Sequence, residues 1–339
     1  MNLSKESALT ASHSRGYRRS GSRKCLAVGV SAAVAFFVAV LSASVARADI
    51  FSEDSIGDAQ NFGILYEGNG QTFSFNNSIE TGNIGIGSVN GTSGSFQGNG
   101  PGTINGTVEF NNASGTFSNS GVTITGNGGN PLFSQTNINT DLTNLNSFSH
   151  TLSLEAGTAM TLNTGGSINA SSGTLDAFGN RVFTLTSGNF ANGTFTINGT
   201  AGQTVVINVP IAFAFNGSIV LAGGITADDV LFNLDAGNYA TQTGGDTLTI
   251  STNGATTTGI FLDPNGNIQI NHSVLNGWLF GGDTQTFSFV SGANLNVPLT
   301  GTPEPSTLML MGIGLLGFAV VLRTKGKPVA ASEKWTACA

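Results

Sequence analysis

Between residues 49 and 302 the chain is a succession of short runs in which every second residue is apolar. Examples are Gln71–Phe75, Gly106–Phe110, Val122–Thr125, Val182–Thr186, Thr194–Asn198, Thr204–Asn208, Val230–Leu234, Thr247–Ile250 and Ile268–Ile270. Period two sends apolar side chains to one side of a strand and Thr, Ser or Asn to the other. Asn-Gly, Gly-Asn and Gly-Gly pairs separate the runs and supply turns with positive φ. Many short strands with few charges predict a mainly β body, either a β-solenoid or a sandwich. The abundance of small residues favours an irregular β-solenoid, or β-helix-like body, because tight corners need Gly and stacked Asn can bond between rungs. No strict repeat length emerges. Gln-Thr-Phe-Ser-Phe occurs at 71–75 and again at 285–289, too far apart to define a repeat.

One segment departs from period two. Ile138, Leu142, Leu145, Phe148 and Leu152 are spaced 4, 3, 3 and 4 residues apart. That is helical spacing and predicts one amphipathic helix at about 138–155, flanking the β body. Asn139 or Thr140 is the expected cap, with Asp141 in the first turn and Gly157 as the stop beyond the last turn.

Charge is sharply segregated. Of 12 Lys and Arg, only Arg181 lies within residues 49–302, which hold 16 of the 19 acids, so the body is near −15 although the chain is −7. Nucleic-acid backbones need Lys and Arg contacts, so DNA and RNA are excluded as partners. Neutral glycans and divalent cations remain compatible. Cys25 and Cys338 flank the body, which has no cysteine and therefore no disulfide or thiolate site.

The basic residues mark two targeting ends. Residues 1–24 are polar and basic, and 26–45 are apolar. Ala46-Arg47-Ala48 then has the A-x-A form of a signal-peptidase site, so residues 1–48 are a signal peptide and Asp49 begins the mature chain. An uncleaved anchor is the alternative for so long an apolar run. Arg18-Arg19 raises the twin-arginine route, but no hydrophobic residue follows closely and general secretion fits better. At the other end Thr302-Pro303-Glu304-Pro305 precedes the uncharged stretch Ser306–Leu322, then Arg323, Lys325 and Lys327. Seventeen helical residues span about 25 Å, near the lower limit for a transmembrane helix. The basic cluster would stay inside, leaving residues 328–339 as a cytoplasmic tail and the body outside.

The tail resembles the PEP-CTERM signal of Gram-negative bacteria, in which Pro-Glu-Pro precedes one membrane span and an Arg/Lys cluster. The resemblance covers about 25 residues, 302–327. It implies sorting by an exosortase-type enzyme, with the inner membrane as a waypoint and the cell surface or matrix as the destination. Over residues 57–297 the body resembles the choice-of-anchor A family of bacterial adhesins. The residues that carry this are Thr204–Val209, Val230–Leu234, Gly259–Asn265 and Leu275–Gly282. Leu262-Asp263 stands where that family has Leu-Ala before the proline, and a His/acid segment after the last Gly pair is absent. The layout also shades into ice-binding-like solenoids. The expected boundaries are therefore a signal peptide to 48, the body over 49–301, the sorting segment over 302–327 and the tail.

No nucleophile elbow, His-Glu-x-x-His or phosphate loop is present. His150 and His272 read as structural. Asp228-Asp229 and Asp263-Pro-Asn-Gly-Asn267 offer oxygen ligands that suit calcium, but Ile268 stands where an EF-hand needs Gly, and a turn closed by Asp and Asn explains them as well. Asp176, Asp246 and Asp283 sit in Gly-flanked loops. No catalytic or cofactor residue is assigned. The leading expectation is a non-enzymatic, adhesin-like surface or matrix protein that contacts exopolysaccharide or other glycans. Ice binding is the alternative, on Thr-x-Thr pairs at 123/125, 184/186, 194/196 and 247/249. An inverting, two-carboxylate polysaccharide hydrolase is the third reading.

Overall fold

A computed structural model describes residue 50 and residues 58–88, 91–234, 247–282 and 286–298. The apolar run 26–45 of the expected signal peptide and the expected transmembrane stretch 306–322 lie outside the described residues. Among the described residues no helix is long and apolar enough to cross a membrane.

The body is a β-solenoid whose strands stack in parallel, with one antiparallel pair, β10 (Thr174–Leu175) with β11 (Arg181–Asn189). All nine sequence runs contribute to strands. Each turn of chain adds one strand to each of three ladders. Along the first, Val182 is followed by Val206, Leu231, Ile260 and Trp278, giving rungs of 24, 25, 29 and 18 residues. That unevenness hides the repeat from sequence.

The order of stacking differs from the order of the chain. The first strands, β1 (Phe62–Tyr66), β2 (Thr72–Asn76) and β3 (Ile79–Glu80), pair with the last, β19 (Val274–Gly281), β20 (Phe287–Val290) and β21 (Asn294–Asn296). The two Gln-Thr-Phe-Ser-Phe segments meet at this seam, with Phe73 opposite Phe287 and Phe75 opposite Phe289. Their ring centroids lie 4.8 and 5.6 Å apart. They are neighbouring rungs, although the sequence alone made them too distant to count as a repeat. Phe96 and Phe117 continue the stack at 5.9 and 5.3 Å. Inward aromatic rings therefore fill the core from rung to rung, each pair adding roughly 0.5–1.5 kcal/mol beyond its burial.

Helix α1 (Asn137–Ser153) carries the chain from the N-terminal strands to β8 (Thr158–Asn163), at the far end of the stack. Its 17 residues span about 25 Å, or roughly five strand spacings. Ile138, Leu142, Leu145, Phe148 and Leu152 pack on the outward side of the first ladder, against Val182, Val206, Leu231, Ile260, Trp278 and Phe280. The expected cap is corrected. Asn139 and Thr140 lie inside the helix, and Thr136 at the cap position makes no side-chain bond. Asn111, from the solenoid, accepts the Asn139 N–H at 3.1 Å and so caps the helix from outside. The other end is met in the same way. Asn208 Nδ2 donates to the Leu152 carbonyl at 2.8 Å, and Asn233 Nδ2 to the Ser149 carbonyl at 2.9 Å. Asn233 also donates to Asn208 Oδ1 at 2.9 Å, and the Ser149 hydroxyl donates to Asn233 Oδ1 at 2.5 Å.

Candidate functional site

The second ladder is open. It stacks β14 (Phe213–Ala222, first half), β16 (Thr247–Ile250), β18 (Asn267–Asn271), β20, β2, β5 (Ser95–Ile104) and β7 (Thr116–Ile124). Register places Ala214, Thr249, Gln269, Ser288, Ser74, Gln97 and Ser118 in one continuous outward rank. At about 4.8 Å per strand the rank is roughly 29 Å long. Thr247 and Asn267, and Thr72, Ser95 and Thr116, flank it on one side. Asn271 and Val290, and Asn76, Asn99 and Ser120, flank it on the other. None of these residues is charged. Thr72 and Ser95 hydroxyls bond across the rungs at 2.9 Å. The sequence reading missed this surface because the rank crosses the seam between Ser288 and Ser74. The repeated pentapeptide was the signal that would have found it.

The Thr-x-Thr pairs do not form one array. Thr247 and Thr249 lie on the open ladder, whereas Thr123 is on the third ladder, Thr184 on the first, and Thr194 and Thr196 at the far end of the third.

The acidic candidates are dispersed. Asp228 and Asp229 belong to a 3-10 turn at Ala227–Asp229. Asp229 Oδ2 accepts from the Thr226 N–H at 2.8 Å and from its hydroxyl at 2.6 Å, while Asp228 accepts the same hydroxyl. Asp176 closes the β10–β11 hairpin, accepting from the Phe178 and Asn180 N–H groups at 2.9 and 2.7 Å. Asp263 and Asn265 are buried at a corner. Among the described residues no three His, Cys, Asp or Glu are grouped as a metal site. His150 is on α1, and His272 occupies an exposed corner at φ 45°. The structure does not bring the two together in one element. Asp246 and Asp283 lie outside the described residues. So do the cleavage residues Ala46, Ala48 and Asp49, and the sorting residues Pro303, Glu304, Pro305, Arg323, Lys325 and Lys327.

Two carboxyls are perturbed: Glu80, which the sequence did not single out, and Asp141, which was expected in the first turn of the helix but lies beyond that turn and is buried. Glu80 is fully buried on β3, where loss of water pushes its carboxyl well above the usual range against the lowering effect of the Gly82 N–H, 2.8 Å away. Burial also pushes Asp141 up to about 6; the Asp58 N–H donates to it at 3.2 Å, and the Asp58 charge adds to the rise.

The third ladder is interrupted. Ser218 and Ile219 of β14 reach β17 (Thr256–Asp263) only through side chains: the Ser218 hydroxyl donates to the Thr256 carbonyl at 2.5 Å, and the Ile219 N–H to Thr257 Oγ1 at 3.2 Å. Beyond them the strands part around a cleft of about 750 Å³. Among the described residues Asp228 is the one carboxylate on its lining, so no carboxylate pair of the kind an inverting hydrolase uses is found there among them.

No curated protein matches the chain. Among solved structures, an ice-binding protein from an Arctic yeast is 15% identical, covering 74% of this chain and 96% of its own, with a TM-score of 0.46. One from the Antarctic ascomycete Antarctomyces psychrotrophicus is also 15% identical, covering 72% and 98%, with a TM-score of 0.40. Residues 302–323 match the PEP-CTERM protein-sorting motif, which implies export, surface or membrane association and processing by an exosortase-type enzyme. Residues 49–292 match the family described as "Putative Ice-binding-like adhesive domain", and the chain belongs to that family.

Proposed function

We propose that this is an exported, adhesin-like protein that holds its open ladder against hydrated glycan at the cell surface or in the matrix. The observation that carries this reading is the uncharged outward rank from Ala214 to Ser118. Its Ser and Thr side chains are short and stand on a rigid sheet, so they lose little rotamer entropy on contact, and Gln97 and Gln269 add longer hydrogen-bonding arms. The body's negative charge and single arginine keep it off other anionic surfaces. In this reading signal peptidase cuts after Ala48, and Pro303–Pro305 with Arg323, Lys325 and Lys327 present the tail for sorting. Cells carrying the full chain should adhere to a neutral exopolysaccharide film. A variant with Thr249→Glu and Ser74→Glu should not, because two fixed charges would have to be desolvated on contact. Adhesion equal to wild type would sink the proposal.

Ice binding is the second reading, supported by the regular strand spacing of the same face. Against it, Gln97 and Gln269 project from the rank between small residues, so the face is not a flat Thr array. Measurable thermal hysteresis of the purified protein would favour ice; none at high concentration would leave adhesion.

A further inference from the structure

We infer that the cleft in the third ladder is a second binding site, separate from the open face, and that it takes a neutral pyranose unit of a polysaccharide. The cleft exists because residues 223–229 are inserted between two rungs. Gly223 and Gly224 turn at φ 84° and 109°, and the acid-capped 3-10 turn that follows packs Ala227 into the cluster that holds Ile260 and Trp278, closing one end of the cleft. Its volume of about 750 Å³ falls within the range of roughly 300–1,000 Å³ of small-ligand sites.

The lining has two unlike sides. One is aliphatic: Val220, Leu221, Ile225 and Val297. The other continues the polar outward ranks of the third ladder, with Thr256 and Thr258 of β17, Asn276 of β19 and Asn296 of β21. Thr258 stands beside Asn276 and Asn276 beside Asn296, and the Asn296 amide donates to Asn276 Oδ1 at 3.1 Å. That bond fixes both amides and directs their remaining donor and acceptor groups to the cleft. Asp228 adds a carboxylate acceptor to the lining.

This lining selects by chemistry. A wholly apolar ligand would desolvate the Thr and Asn side without returning hydrogen bonds, which costs on the order of 1–3 kcal/mol per group. An anionic sugar would meet Asp228, with no lysine or arginine among the described lining residues to offset it. A neutral pyranose carries a C–H face and a rim of hydroxyls, so it can satisfy both sides at once. Asp228 can accept a ring hydroxyl in a charge-assisted bond.

The test titrates the full chain, held in lipid nanodiscs, with neutral gluco-, manno- and galacto-configured hexasaccharides and with a hexagalacturonate. At least one neutral hexamer should bind. Asn276→Ala and Thr258→Val should each weaken it about tenfold, equivalent to about 1.4 kcal/mol, with an unchanged melting midpoint. Thr161→Ala, on the exposed side of β8 and on neither surface, should leave the affinity intact. The inference is overturned if no neutral hexamer binds, if the acidic hexamer binds more tightly, or if Asn276→Ala and Thr258→Val both keep wild-type affinity, which would leave the hexamer on the open face. Adhesion through the open face does not depend on the result.

Discussion

The first and second ladders run through the same solenoid and differ only in what points outward. On the first, Val182, Val206, Leu231, Ile260 and Trp278 face out and are buried, at 1, 0, 1, 1 and 0% exposure, because α1 lies over them. On the second, Ala214, Thr249, Gln269, Ser288, Ser74, Gln97 and Ser118 face out and nothing described covers them. Their inward residues are alike, aromatic or branched aliphatic. A solenoid rung thus has one side chain per ladder to bury for stability and one free for another purpose. The helix consumes the free set on one side and leaves the other for contact.

Perturbing each ladder in turn should separate the two roles. The largest effect belongs to Trp278→Ala under the helix, which empties a fully buried site and should cost about 3–5 kcal/mol in denaturant unfolding. A loss below about 1 kcal/mol would mean that α1 does not seal this face. Next is Asn233→Ala. It removes two hydrogen bonds that join helix to sheet and a third to Asn208 of the neighbouring rung, leaving buried groups unmet at about 1–3 kcal/mol each before relaxation. Helix amides should then exchange faster than those of the open ladder, and equal protection of both would break the comparison.

A smaller effect is set by pH. Asp141 and Glu80 have folded-state values above their unfolded ones. Their contribution is therefore complete below the unfolded value near about 4. It is lost as pH rises, through about 6 for Asp141 and through the raised value of Glu80. The melting midpoint should be higher at pH 5 than at pH 7.5, and Glu80→Gln should flatten that slope. A midpoint that rises toward pH 7.5 would contradict the burial of these groups. The smallest effect on stability is expected on the open ladder, where Thr249→Glu or Ser74→Glu should stay within about 0.5 kcal/mol of wild type.

Much of the fold was readable from local patterns. Period two located the strands, and the 4-3-3-4 spacing located α1 to within two residues at its C-terminal end. Its capping was not readable, because the capping groups Asn111, Asn208 and Asn233 come from rungs distant in sequence. The seam was hidden for the same reason. Gln71–Phe75 and Gln285–Phe289 are 214 residues apart, yet their strands pair in register. The corner glycines were legible as turns but not as stacked positions: a Cβ on Gly277, at φ 152°, would sit 1.8 Å from the Gly259 carbonyl oxygen of the rung beside it. The open face was illegible because its rank draws one residue from each of seven strands. A Thr-x-Thr pair on one strand says nothing about which rung will stand next to it.

The most direct test of the division between ladders is adhesion measured at matched stability. Cells displaying the full chain are washed over a neutral exopolysaccharide film, and wild type is compared with the variant carrying Thr249→Glu and Ser74→Glu after their melting midpoints are shown to coincide. Retention of the variant should fall to that of cells lacking the protein. Retention at the wild-type level would place the contact surface elsewhere and contradict the account.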